Sequence, residues 1–201
     1  EFLLTHPITE RRVADTRSRT LEYNNHHYPD NSDFYIMKAR TQVLHQDNPK
    51  YSIKFFRQKL KENSLNDDAY RYGLAIANSK AGNYDQAIED LSGLLKKKPF
   101  YAPYIYTNIE IDIAAGNYKS ALQKLKYQLT LNQNNYPLHI LQADALWRSH
   151  QYEASAKVLT RLSRKRPEDP SIWYQLAEVR GLAGDISGVH KARAEYFILI
   201  G

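Results

Sequence analysis

Small and apolar positions return along the chain at a fixed interval. The stretch "AGNYDQAIEDLSGLLKKKP" at residues 81–99 is answered from residue 115 by "AGNYKSALQKLKYQLTLNQ". Gly82, Asn83 and Tyr84 stand 34 positions before Gly116, Asn117 and Tyr118, and the same step reaches His150, Gln151 and Tyr152, then Gly184, Asp185 and Ile186. Three residues past each anchor comes a small or modest side chain: Ala87, Ala121, Ser155, Val189. Four further on stand Leu91, Leu125 and Leu159, with Arg193 departing. Spacings of three and four put apolar residues on one helical face. Each unit therefore predicts two antiparallel helices, A and B, joined by a turn whose Gly or Asn tolerates positive φ. Ala75, Ala143 and Ala177 are small where the two helices must approach closely; Ile109 is not, which predicts a splayed second unit. Tyr84 and Tyr118 are expected to pack between helices, with a cost of about 3–5 kcal/mol on truncation to alanine. Pro99 and Pro167 end two of the units, because proline cannot continue the helical hydrogen-bond ladder.

The pattern divides the chain. Four units cover 68–101, 102–135, 136–169 and 170–201. A degenerate helical pair precedes them over 33–67, with Met37, Val43, Ile53, Phe56 and Leu60 at helical spacing in helices over 33–46 and 51–63 and Lys50 in place of the anchor tyrosine. Residues 1–32 form a lead-in: a charged helix over 10–24 with Thr9 as its N-cap, then the turn cluster "YPDNS" at 28–32. A single unit cannot bury its own apolar face, so the units must stack. In the ending "EYFILIG", Phe197, Ile198, Leu199 and Ile200 would be poorly covered in a last helix. Either they fold back on the last unit or, as favoured here, the natural chain continues. The opening at Glu1 without an initiator Met also reads as a piece of a longer protein.

A period of 34 residues with this pattern resembles the tetratricopeptide-repeat family. Trp173 and Leu176 match the family's Trp and Leu positions in the fourth unit. The resemblance implies an all-α, right-handed solenoid whose A helices line a concave face that binds proteins. The face would carry Tyr72, Ile76, Lys80, Tyr106, Glu110, Ile113, Ile140, Asp144, Trp147, Arg148, Tyr174 and Glu178, with Tyr72 and Trp147 the foremost contacts. Chaperone-binding members carry a clamp of Lys, Asn and Arg for a terminal carboxylate; Tyr72 and Ile76 stand where that clamp would start. An aromatic and aliphatic groove instead suits an extended or partly folded polypeptide.

The lead-in "EFLLTHPITERRVADTR" belongs to no repeat. It is similar to a segment near the end of the catalytic domain in zinc metallopeptidases related to HtpX and the CAAX prenyl protease. Set before the repeats, it looks like a periplasmic member of that family that works on outer-membrane proteins; the "KARAEYFILIG" ending adds to the likeness. The resemblance implies a non-catalytic domain that recruits substrates or docks partners for a periplasmic zinc metalloprotease and chaperone. Partners would be the β-barrel assembly machinery, unfolded outer-membrane proteins and the parent's own protease domain. The zinc belongs to that parent: its site needs HExxH and a later glutamate, and the sequence has no HExxH. The family places a histidine like His6 near the metal; the plainer reading is a proline turn. The alternative is a general repeat scaffold for secretion or pilus assembly, without a protease and with the cytoplasm as an alternative location.

Composition narrows this further. Among 201 residues, 42% are hydrophobic and 25% charged, which favours a folded chain over disorder. The absence of cysteine excludes disulfides and thiolate chemistry. No apolar run approaches a membrane span. His26, His27 and His45 lack a third ligand at helical spacing, and the acidic pairs Asp67-Asp68, Glu89-Asp90 and Glu168-Asp169 read as solvated surface at helix ends or on exposed faces. The net charge of +6 is gathered partly in Lys96–Lys98 and Arg161–Arg166. Both runs fall at the C-terminus of a B helix, where cations offset the dipole, so a solvated face is favoured over nucleic-acid binding.

Overall fold

The structure is a computed structural model that describes residues 13–15, 17–19, 31–62 and 66–201. The chain divides after Phe34. Within the first part, residues 13–15 and 17–19 are helical, and Arg19 pairs with Asp15 at 3.1 Å. His6, Thr9, His26 and His27 lie outside the described residues.

Ten helices follow from Ser32 to Ile200: α1 Ser32–Leu44, α2 Pro49–Lys61, α3 Asp67–Lys80, α4 Tyr84–Lys97, α5 Ala102–Ala114, α6 Tyr118–Leu131, α7 Tyr136–Arg148, α8 Tyr152–Lys165, α9 Pro170–Leu182 and α10 Ile186–Ile200. From α3 onward they alternate as A and B helices. From α2 onward each packs on its neighbours in sequence, and A helix α5 also touches the A helices α3 and α7. Each element has a local cause. Asn48, Asn135, Asp169 and Asp185 accept backbone N–H bonds at the starts of α2, α7, α9 and α10, with proline in the first turn of α2, α5, α7 and α9.

The A-to-B turns share one geometry. Asn83 N–H donates to Asn78 O at 2.9 Å, Asn117 to Asp112 at 2.8 Å, Gln151 to Leu146 at 2.8 Å and Asp185 to Arg180 at 2.9 Å. These six-to-one bonds close a Schellman turn and need a left-handed residue just before the donor. Gly82, Gly116 and Gly184 supply it at φ near +78°, and His150 is forced to φ 62° at the same place. Left-handed backbone costs a non-glycine residue about 1–2 kcal/mol. His150→Gly is therefore expected to raise stability by up to about 1 kcal/mol, read as a higher midpoint in urea; an unchanged midpoint would mean that the 2.6 Å His150 Nδ1–Tyr152 hydroxyl contact offsets the strain.

The register also fixes what joins A to B. Asn78 is fully buried and donates to Asp90 at 2.8 Å. One repeat on, Asp112 is 6% exposed and pairs with Lys124 at 2.8 Å. In the third unit the same two positions are Leu146 and Val158, both buried. The polar link gives way to apolar packing without a change of register. Asp90 has its pKa raised, first by burial, with Asn78 opposing.

Three apolar clusters follow one another along the stack: around Phe56, Tyr72, Leu91 and Tyr104; around Ile109, Ala121 and Leu125; and around Ala143, Leu159, Ile172 and Leu176. One expectation changes here. Tyr84 and Tyr118 are only half-buried, so their truncation costs less than a core aromatic would; among the described residues the fully buried aromatics are Tyr72, Tyr104 and Phe56. Phe197, Ile198, Leu199 and Ile200 do not fold back, being 60%, 76%, 38% and 51% exposed. Ile109 is fully buried, and α5 and α6 make the least intimate A–B pair among the four repeats, as its bulk predicts.

Asp169 ties two repeats together. Its carboxylate accepts from Ser171 N–H at 3.0 Å and Oγ at 2.6 Å, and from the Tyr136 hydroxyl at 2.9 Å. The Ser171 hydroxyl is the largest of the causes that hold its pKa below the ordinary value. A depressed carboxyl stabilises the fold above its unfolded pKa of about 3.9. That contribution is lost as pH falls from there through the folded pKa. Asp169→Asn is expected to keep the cap but remove this part of the acid sensitivity, seen by comparing urea midpoints at neutral and acidic pH.

Candidate protein-binding face

The inner face is built by the A helices α3, α5, α7 and α9, and its two halves differ. The N-terminal half is closed. Tyr72 is fully buried, and its hydroxyl lies 2.9 Å from Thr107 Oγ1. Arg40 reaches over it from α1. Its Nη1 donates to the Tyr72 hydroxyl at 3.3 Å, Thr107 Oγ1 at 3.1 Å and Glu110 Oε2 at 3.0 Å, while Nη2 donates to Glu110 Oε1 at 2.7 Å. The bond to Glu110 is the largest reason that the guanidinium pKa lies above its ordinary value. Burial pushes the Tyr72 phenol up. Ile76 and Ile113 are buried as well. Lys80 donates to Gln46 O at 2.7 Å and Val43 O at 3.3 Å, capping the end of α1. Tyr72 and Ile76 are thus core residues, not contacts: the degenerate helical pair packs over the face that the sequence left open. Arg40 is the residue that sequence reasoning missed. Its signal was an arginine beside the small Ala39 in a helix whose other periodic positions are apolar.

The C-terminal half is open. Tyr106 is half-buried, its hydroxyl accepting from Asn135 Nδ2 at 2.6 Å. Ile140 and Trp147 are partly exposed and rest on the third cluster. Arg148 donates to Asp144 at 2.7 Å along the helix. Tyr174 is 52% exposed and meets Tyr196 at a ring separation of 5.5 Å, and Tyr196 meets Phe197 at 5.4 Å. Glu178 lies 3.9 Å from Arg193. Ile140, Trp147 and Tyr174 therefore offer apolar surface ringed by satisfied charges, the composition of a protein-binding patch. Of the two foremost contacts expected, Trp147 sits here and Tyr72 does not.

Residues 112–179 match the tetratricopeptide repeat family. A thermophilic tetratricopeptide-repeat protein of Thermus thermophilus superposes with a TM-score of 0.65 at 19% identity, covering 84% of this chain and 91% of that one. Such a protein from Parabacteroides merdae gives 0.63 at 18%, covering 91% and 67%. At these identities the likeness concerns the fold alone. The fold is that of a tetratricopeptide-repeat solenoid. Beyond the solenoid's fold, its whole length is similar to curated bacterial proteins. Beta-barrel assembly-enhancing protease of Escherichia coli K12 is 29% identical over 202 residues, with 100% of this chain and 41% of the relative covered. The protein of that name from Yersinia pestis is 28% identical over 203 residues, covering 100% and 42%. The solenoid thus spans about two fifths of these relatives. The sequence lacks HExxH, and among the described residues no three candidate metal ligands gather. No helix among them is long and apolar enough to cross a membrane.

Proposed function

We propose that this solenoid is the non-catalytic, client-recruiting domain of a periplasmic zinc metalloprotease that serves outer-membrane β-barrel assembly. The observation that carries the reading is the extent of the likeness. Repeats alone would align with repeats, whereas the match to beta-barrel assembly-enhancing protease takes in all of this chain, including the lead-in before the first repeat. The zinc and its ligands would belong to the rest of the parent protein. The client would be an unfolded or stalled barrel polypeptide, rich in aromatic side chains, lying over Ile140, Trp147 and Tyr174. Docking on the assembly machinery itself would use the same exposed half.

Upstream sequence tests the protease link. The reading predicts HExxH, a later glutamate and a signal peptide before Glu1; without them the solenoid is a general adaptor. Binding tests the site. Trp147→Ala is expected to weaken capture of a urea-unfolded β-barrel protein by roughly tenfold or more, the scale of a hot-spot aromatic. Unchanged affinity would remove Trp147 from the client site.

A further inference from the structure

The basic run on α8 does not spread evenly into solvent. Two open cavities lie beside that helix, of about 380 Å³ and 680 Å³, and Arg161 lines both. The larger is walled by α6, α7 and α8, with Leu122, Leu129 and Leu146 in its lining and Lys126, Arg161 and Lys165 among its polar groups. The smaller lies between α8 and the end of α9, lined by Ala156 and Ala183 with Lys157, Arg161, Arg164 and Arg180. The acids of these linings are Glu153 and Asp185, and Asp185 is engaged in capping α10. Cations therefore outnumber acids around both openings.

Part of this array is held in place. Lys165 donates to Asn134 at 2.9 Å and Arg180 to Thr160 at 3.3 Å. His139 is buried, with Nε2 at 2.8 Å from Gln133 O and Nδ1 at 3.2 Å from Arg161 Nη2. A guanidinium cannot accept, so Nδ1 accepts and Nε2–H donates to the carbonyl. That fixes the Arg161 head on the ridge between the cavities. Lys126, Lys157, Arg161 and Arg164 take part in none of the ion pairs among the described residues. Their carboxylate partners are not supplied by the fold.

We propose that this double cleft binds an extended acidic segment of a partner protein, seating one apolar side chain on Leu122, Leu129 and Leu146 between carboxylates that pair with Arg161, Arg164 and Lys126. Charge complementarity calls for an anion, and arginine favours planar carboxylates or phosphates. The apolar lining decides for a peptide. Neither cavity is lined by Tyr, Phe or Trp, the side chains on which single-stranded bases stack. The cleft is separate from the inner face of Trp147 and Tyr174, so one solenoid can hold a client and an acidic partner together.

The test uses the 201-residue chain and three fluorescent probes in an anisotropy titration: an Asp/Glu-rich peptide with a central leucine, its Asn/Gln counterpart, and a uridine oligonucleotide. The acidic peptide is expected to bind at least about tenfold more tightly than either other probe. Lys126→Glu, Lys157→Glu and Arg164→Glu together reverse three exposed charges that anchor nothing in the fold; they are expected to weaken that binding by at least about tenfold, while Trp147→Ala leaves it unchanged. Equal binding of the amide peptide, tighter binding of the oligonucleotide, no saturable binding, or indifference to the triple reversal would each overturn the proposal. So would loss of peptide binding in Trp147→Ala, which would place the peptide on the inner face.

Discussion

Phe56→Ala is expected to destabilise the solenoid by about 3–5 kcal/mol, the range for a large aromatic removed from a packed interior. Phe56 is 1% exposed and makes the junction between the degenerate pair and the first full repeat. Its ring lies directly on Gly73 of α3. A Cβ there would stand 2.5 Å from Phe56 Cζ and 2.7 and 2.8 Å from the two Cε atoms. The glycine is kept for that approach, against a cost of about 1 kcal/mol inside a helix. A reciprocal result follows. Gly73→Ala alone should cost about 1–3 kcal/mol through overpacking. In a Phe56→Ala background the same change should be neutral or stabilising, because the clash is gone and only the helix propensity remains. Urea denaturation of the four proteins of the cycle measures it. Equal effects of Gly73→Ala in both backgrounds would show that the ring does not dictate the glycine.

Tyr72→Ala should have an effect of the same size, about 3–5 kcal/mol, and its isosteric variant separates two roles. Tyr72→Phe keeps the ring against Tyr104, at 5.4 Å, and removes only the hydroxyl between Arg40 and Thr107. Its expected cost is about 0.5–1.5 kcal/mol, that of one buried hydrogen-bonding group. Arg40 retains Glu110, so the network shrinks but does not collapse. Client affinity should not change in Tyr72→Phe, because the residue is sealed behind α1. A large loss of client binding by a stably folded Tyr72→Phe protein would reopen the N-terminal half as a binding surface.

The repeat register was legible because its causes are local. Glycine at the turn, a small residue at the A–B approach and proline after B all act within one unit, and the structure keeps that phase from Asp67 to Ile200. Even the exception at His150 adopts the turn that its position demands. The binding face was half legible for the opposite reason. Whether Tyr72 or Trp147 meets solvent depends on what packs over it from another unit. The degenerate pair carries little of the repeat pattern, and a single long side chain, Arg40, closes the N-terminal half over Tyr72 and Glu110. The cleft beside α8 was harder still. Arg161–Arg166 reads as a helix-end charge run, yet Arg166 lies 4.1 Å from the Tyr136 ring centre, while Arg161, Arg164 and Lys165 line cavities. Sequence proximity had grouped residues that the fold separates.

In the proposed function, clients are held by the open C-terminal half of the inner face. The direct measurement is the affinity of a urea-unfolded outer-membrane β-barrel protein for the solenoid and for its Trp147→Ala/Tyr174→Ala variant, with helicity checked by circular dichroism. Saturable binding is expected, and it should fall by at least about tenfold in a variant that remains helical. Full affinity in that variant would contradict it.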